Sequence, residues 1–287
     1  MKAEDVKRVA VIGCGVMGSG IAEVCARGGL EVTVLETTPE LVEAGRRRIE
    51  TSMLHAVERG RLREDERAAA ESRIATTTVL GELAQADLVL EAATEDEETK
   101  RTLFRDLDSV VRDDVVFGSN TSSIPIVELG AATSRPDRVV GIHWFNPVPV
   151  MSLIEIVRSI TTSDETVEFA RAFAAMLGRT TVLSRDRAGF IVNTLLIPYL
   201  IDAVRMFEEG FATREDIDTA IHLGLNHPMG PLRLADLIGL DTVLQIANVL
   251  YGEFADPRYA PPPMLRRMVT AGRLGRKTGA GFYDDYP

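Results

Sequence analysis

Three groups of residues in this chain have the types and spacing for proton-transfer chemistry. Of the four histidines, His143 alone closes a run that reads as a strand, Arg138 to Trp144. An imidazole titrates near about 6.5, which suits a general base at neutral pH. Glu155 sits in the middle of the apolar run Leu153-Ile154-Glu155-Ile156-Val157. A buried carboxylate without a partner costs several kcal/mol, so Glu155 requires one. A histidine on the preceding strand would be held in one tautomer by it, leaving the other ring nitrogen free as a base. The competing reading is an ion pair from Glu155 to Arg158 or another arginine. The third group follows two other predicted strands: Glu95 and Lys100 after Asp87–Ala93, and Ser119-Asn120-Thr121-Ser122-Ser123 after Val115–Gly118. Asn193 is also out of place, interrupting the apolar run from Phe190 to Leu196. It reads equally as an interdomain hydrogen bond or as a contact to a reacting group.

The elements that must position these residues alternate between strand and helix. Lys7–Ile12 is an unbroken apolar run of the kind a sheet covered on both faces requires, and Val16–Arg27 has helical periodicity. Glu31–Leu35, Asp87–Ala93, Val115–Gly118 and Arg138–Trp144 are further strands, with helices such as Glu97–Val111 between most of them. Alternation of this sort implies parallel βαβ units, whose ligands gather at the carboxyl ends of the strands. Pro39 to Ala70 is too long for one crossover and predicts an inserted helical pair. Leu153–Val157 and Thr180–Ser184 read as later edge strands around a helix from about Asp164 to Leu177, capped by Ser163. From Gly189 onward only helical periodicity remains. The expected organisation is a first domain over residues 1–185, carrying a helical arm at about 39–70, and an all-helical second domain over 186–287.

Gly13-Cys14-Gly15-Val16-Met17-Gly18 lies between the first strand and the first helix. The glycines permit a tight turn, a close approach of backbone to a pyrophosphate and close helix packing, while the helix N-terminus faces the phosphates. Gly13, Gly15, Val16, Met17 and Gly18 are therefore candidate dinucleotide contacts, with Met17 and Cys14 also packing under the loop. Glu36, at the end of the second strand, stands where an acid binds ribose hydroxyls and disfavours a 2′-phosphate, so NAD is expected over NADP.

Composition narrows the classes. The 287 residues carry 32 basic and 43 acidic groups, net −11, which argues against nucleic acid or an anionic membrane as the main partner. Only two cysteines occur, Cys14 and Cys25, too few for a disulfide framework and without metal-ligand spacing. The most apolar stretch, Phe190–Val204, contains Asn193, Pro198 and Asp202 and is short for a membrane span. The expectation is a soluble cytoplasmic protein without a metal.

The runs G-C-G-V-M-G-S-G-I-A, E-A-A-T-E, S-N-T-S-S, H-W-F-N-P-V-P-V-M, L-I-E-I-V, A-G-F-I-V-N, H-P-M-G-P and G-R-K-T-G-A-G-F-Y occur in order between Val6 and Tyr283. Together they resemble the L-3-hydroxyacyl-CoA dehydrogenases, most of all the short bacterial 3-hydroxybutyryl-CoA dehydrogenases. The resemblance implies an α/β doubly wound, mostly parallel Rossmann sheet with an inserted arm and an all-α C-terminal domain. It implies NAD as cofactor, an acyl-CoA substrate, reversible hydride transfer and a homodimer. It makes His143 the general base and Glu155 its orienting acid. Ser122 and Asn193 become hydrogen-bonding residues at the reacting oxygen, and Glu95, Lys100, Asn120 and Asn146 contacts near the nicotinamide. Ser52 and Arg59 on the arm would contact CoA, in a region where Arg46, Arg47, Arg48, Arg59, Arg61 and Arg63 outnumber Glu50 and Glu58. A solvated helix face is the plainer reading of that charge run. Trp144, where the family commonly has Phe, would narrow the acyl pocket. The rivals are a dehydrogenase of free or carrier-bound hydroxy acids, resembling L-gulonate 3-dehydrogenase, and a nucleotide-binding protein without catalysis.

Overall fold

The computed structural model describes residues 2–286; Met1 and Pro287, the outermost residues of the two expected domains, lie outside the described residues. The chain divides into a unit ending at Arg187 and a second beginning at Ala188.

In chain order the first unit runs β1 (Arg8–Ile12), α1 (Val16–Arg27), β2 (Glu31–Leu35), α2 (Pro39–Glu58), α3 (Glu64–Glu71), β3 (Ile74–Thr77), β4 (Leu88–Glu91), α4 (Glu97–Val110), β5 (Val116–Ser119), α5 (Ile126–Ala131), β6 (Val139–Trp144), β7 (Leu153–Arg158), α6 (Asp164–Met176) and β8 (Thr180–Arg185). The strands form one sheet in the order β3-β2-β1-β4-β5-β6-β7-β8. Neighbours are parallel except β6 and β7. This is a doubly wound, mostly parallel sheet. The central strands β4, β5 and β6 are buried along their whole length, which is why they read as continuous apolar runs. The edge strands β3 and β8 are half exposed, and β3 has no apolar run that would announce it.

Two features of the topology set the site. Chain order reverses between β1 and β4, so the loops leaving these strands diverge and open a crevice at their carboxyl ends. After β6 the connection at 145–152 is too short for the dozen or more residues of a parallel crossover. β7 therefore returns antiparallel, and its residues lie in register beside the end of β6, with His143 opposite Glu155.

The arm is a helical pair, α2 and α3. Pro39 opens α2, where the Thr38 hydroxyl accepts the Leu41 N–H at 3.3 Å, an ordinary N-cap. Ser163 caps α6 in the same manner through the Thr166 N–H.

The second unit contains α7 (Val192–Glu208), α8 (Arg214–Gly224), α9 (Pro231–Ile238), α10 (Leu240–Phe254) and α11 (Pro263–Thr270). They pack around Ile197, Leu200, Val204, Leu232, Val243, Leu250 and Tyr259. Among the described residues, no single helix is long and apolar enough to cross a membrane.

Candidate active site

His143 Nδ1 lies 2.7 Å from Glu155 Oε2. The imidazole is 8% exposed and the carboxylate 0%. An ionised carboxylate only accepts hydrogen bonds, so a hydrogen bond to it is donated by Nδ1–H. The Phe145 ring lies 4.8 Å from the imidazole, centroid to centroid, and tilted. Arg158, the competing partner for Glu155, is directed elsewhere: it pairs with Asp164 at 2.5 Å. Trp144 corrects an expectation. Successive strand residues face opposite sides of a sheet, so Trp144 points away from His143 and is buried in the core with Val148, Ile154 and Ile156. It is part of the packing beneath the sheet and does not line a pocket with the histidine.

The ends of β4 and β5 carry a second polar assembly. Lys100 is buried, with Nζ 2.7 Å from Glu91 Oε1 and 3.0 Å from Glu95 Oε2. Glu91, the last residue of β4, also accepts the Ala93 N–H at 2.7 Å and the Ser119 hydroxyl at 2.5 Å. Glu95 Oε1 accepts the Thr121 hydroxyl at 2.6 Å, the Ser122 N–H at 2.9 Å and the Ser123 hydroxyl at 2.9 Å. Burial pushes the Glu95 carboxyl up, but Lys100 and these donors outweigh it and hold the group below its ordinary value. Burial pushes the Lys100 ammonium down, and the two glutamates more than reverse that. Asn120 joins this assembly to the first, since its Oδ1 accepts the Trp144 N–H at 2.9 Å. Glu91 is not among the residues the sequence singles out, whereas its partner Ser119 is, as the first residue of the run after the predicted strand Val115–Gly118. Glu91 carries the same signature as Glu155, an acid inside a predicted strand, Asp87–Ala93, but it is followed there only by the small residues Ala92 and Ala93.

The glycine loop fits a dinucleotide. Gly13 has φ +88°, and a Cβ there would lie 2.8 Å from the Ala92 carbonyl oxygen; a Cβ on Gly18 would lie 1.9 Å from the Gly13 carbonyl oxygen. A Cβ on Gly15 would meet nothing within 4 Å, so the loop is open on the side where a pyrophosphate would approach. The first-turn N–H groups of α1, beginning at Val16 and Met17, have no partners within the helix. Glu36 lies across this loop, its Oε1 accepting the Cys14 N–H at 2.6 Å. Cys14 and Cys25 are free and buried, and burial pushes the Cys14 thiol up to about 11.

On the arm, Ser52, His55, Arg59 and Arg61 line a cavity of about 540 Å³ together with Pro147 and Val150, from the loop that follows His143. The arginines of the charge run divide. Arg48 donates to the Cys14 carbonyl at 3.2 Å, and Arg63 is engaged by Asp65 and Glu66, while Arg59 and Arg61 face the cavity. Asn146 is exposed on the same loop, directly before Pro147. Asn193 belongs to the helical unit, where it is a buried residue in the first turn of α7.

Comparison with known proteins gives a consistent result. Residues 8–187 match the 3-hydroxyacyl-CoA dehydrogenase NAD binding domain, and residues 189–285 the 3-hydroxyacyl-CoA dehydrogenase C-terminal domain. A 3-hydroxybutyryl-CoA dehydrogenase of Mycobacterium tuberculosis is 52% identical over 283 residues, covering 98% of this chain and 99% of the relative. A 3-hydroxybutyryl-CoA dehydrogenase of Bradyrhizobium diazoefficiens is 45% identical over 98% of this chain and 96% of its own. Among solved structures, the (S)-3-hydroxybutyryl-CoA dehydrogenase of Ralstonia eutropha superposes with a TM-score of 0.91 at 43% identity, over 97% of this chain and 99% of that one.

Proposed function

The chain belongs to the 3-hydroxyacyl-CoA dehydrogenase family, and from that premise we propose that it interconverts an (S)-3-hydroxyacyl-CoA and the 3-ketoacyl-CoA, with 3-hydroxybutyryl-CoA as its substrate. The observation that carries the reading is the buried His143–Glu155 pair at 2.7 Å. NAD, when bound, supplies the hydride acceptor. His143 Nε2 takes the proton of the substrate hydroxyl as the carbonyl forms, and in the reverse direction the imidazolium returns it to the oxygen. Glu155 accepts from Nδ1, fixes the ring and stabilises the imidazolium. Ser122 and Asn193 hydrogen-bond the reacting oxygen. Gly13, Gly15, Val16, Met17, Gly18 and Glu36 hold the adenosine and pyrophosphate of the cofactor, and Glu95, Lys100, Asn120 and Asn146 the nicotinamide end.

The arm cavity takes the CoA. Its lining joins Ser52, Arg59 and Arg61 to the loop after His143, so anion recognition and the reacting end share one connecting segment. The helical unit exposes the large apolar side chains Leu195, Phe211 and Leu223, which would be covered in an assembly of two copies; the setting is the cytoplasm.

The test is a comparison of acetoacetyl-CoA with free acetoacetate, each with NADH and with NADPH, followed by the loss of reduced-nicotinamide absorbance. Turnover of acetoacetyl-CoA with NADH is the expected leading activity. Equal efficiency with free acetoacetate would replace the CoA ester by a free hydroxy acid, and no turnover with any of them would remove the enzymatic reading.

A further inference from the structure

The proton transfer at His143 leaves one set of buried charges unused. Glu91, Lys100 and Glu95 bring two carboxylates to one ammonium. Among the described residues, Lys100 is the only cation paired with either glutamate, and their remaining donors are neutral hydroxyls and backbone N–H groups. Counted as formal charges, two carboxylates against one ammonium leave one negative charge in surplus. Its position is specific: Glu91 is in register with Ile12 on one side and Ser119 on the other, at the point where strand order reverses. The glycine loop packs on the backbone immediately after it, Gly13 against Ala92.

We propose that this surplus carboxylate charge makes the crevice discriminate between the two redox forms of the dinucleotide, binding the oxidised form more tightly than it otherwise would. The proposal rests on the reading that puts the nicotinamide beside Glu95 and Lys100. The oxidised ring is a pyridinium cation, and hydride addition makes it neutral. A fixed negative charge within several ångströms attracts only the cation, and partial burial keeps water from screening that attraction. Glu91 is then a positioning residue for charge, acting through Lys100 and Glu95 without touching the ring. Its side-chain partners are Ser119 at the end of β5 and Lys100 in the first turns of α4.

The test uses the full-length protein and three ligands: NAD by calorimetry, NADH by fluorescence titration, and ADP-ribose, which lacks the ring. In Glu91→Gln the NAD dissociation constant should rise about tenfold, while those for NADH and ADP-ribose change less than about twofold; Glu91→Asp should restore the ratio. Equal weakening of all three ligands would make Glu91 purely structural and overturn the proposal, as would an unchanged NAD affinity. Should Glu91→Gln fail to fold, Glu95→Gln carries the same test, because it removes the other carboxylate of the pair and must shift the NAD-to-NADH ratio in the same direction. Activity on acetoacetyl-CoA is read separately: its absence would remove the substrate reading and leave the affinity ratio to stand or fall by itself.

Discussion

Both units of the molecule bury carboxylates, and they use them differently. In the sheet unit Glu91 and Glu155 are fully buried, and each faces a side chain that can carry a proton, Lys100 or His143. In the helical unit Asp218 accepts the N–H groups of Leu232 and Arg233 at 2.8 and 3.0 Å, and so fixes the start of α9. Asp236 accepts those of Phe282 and Tyr283 at 2.9 and 3.0 Å, with the Tyr286 hydroxyl at 2.9 Å. Asp218 also accepts the Tyr283 hydroxyl at 2.9 Å, and together these main-chain and phenol donors make the aspartates ties between segments. A buried acid signals chemistry when it faces a histidine or lysine beside the strand ends, and architecture when its partners are main-chain donors and phenols.

The contrast breaks most sharply by mutation at His143. His143→Gln should lower turnover by about 10²- to 10⁴-fold while NADH affinity and melting temperature stay near wild type. Glu155→Gln should also lower turnover, by a smaller factor, because the ring loses its orienting charge but keeps a hydrogen-bond acceptor. Steady-state rates beside a fluorescence titration of NADH check both. Retention of wild-type turnover by His143→Gln would place the base elsewhere.

Asp236→Ala should give the opposite profile. It leaves the Phe282 and Tyr283 amides without partners in a buried site, a cost of about 1–3 kcal/mol for each such group. Chemical denaturation should show a loss of about 2–6 kcal/mol, with kcat per folded molecule nearly unchanged. A large fall in kcat of the folded fraction would erase the distinction between the two kinds of buried acid.

This distinction was only partly legible in the sequence. Strands buried on both faces write themselves as apolar runs, and β1, β2 and β6 fall within a residue of the runs that predict them. β3 does not, because Ile74-Ala75-Thr76-Thr77 lies half exposed at the sheet edge, where polar β-branched residues are as acceptable as apolar ones. Glu155 stands out as an acid between two isoleucines, whereas Glu91, inside the predicted strand Asp87–Ala93, is followed only by alanines, and β4 ends on it. Its burial follows from Lys100 folding back from α4, a tertiary fact. Trp144 was misread because resemblance assigns a position and the pleat assigns a face: adjacency to His143 in the chain puts the indole on the other side of the sheet. Asp236 gave no signal, since its partners lie at the far end of the helical unit, at residues 282–286.

Acid titration should separate the two kinds of carboxylate by sign. The folded pKa of Glu95 is depressed, so its contribution is present above the unfolded value of about 4.3 and is lost as pH falls through the lower folded value. Burial raises the Asp236 carboxyl above its ordinary value, against the pull of the Tyr283 and Phe282 amides. Its ionisation therefore opposes folding, and that opposition disappears as pH falls from the raised value through about 3.9. Urea midpoints between about pH 3 and 7 should show the advantage of wild type over Glu95→Gln shrinking toward low pH. Against Asp236→Asn, wild type should gain over the same range. Parallel curves for the two variants would mean that the partners of a buried acid do not set the sign.

The smallest expected effect lies on the arm, where charge is exposed and the comparison is between arginines of one helical hairpin. Arg63 is held by Asp65 at 3.0 Å and is not among the residues lining the cavity, whereas Arg59 lines it beside Ser52 and Arg61. Exposed charge pairs contribute about 0–1 kcal/mol and are screened by salt. Arg59→Ala should therefore raise KM for acetoacetyl-CoA by only about two- to fivefold at low ionic strength, with less effect at high ionic strength and kcat unchanged. Arg63→Ala should leave KM where it was, because its charge is already answered within the hairpin. If the two variants raised KM equally, CoA would be sensing the overall charge of the arm, and the cavity would have no special claim to it. If only Arg59→Ala acts, and only in weak salt, a few exposed arginines become a directional anion site through where the turn between α2 and α3 puts them.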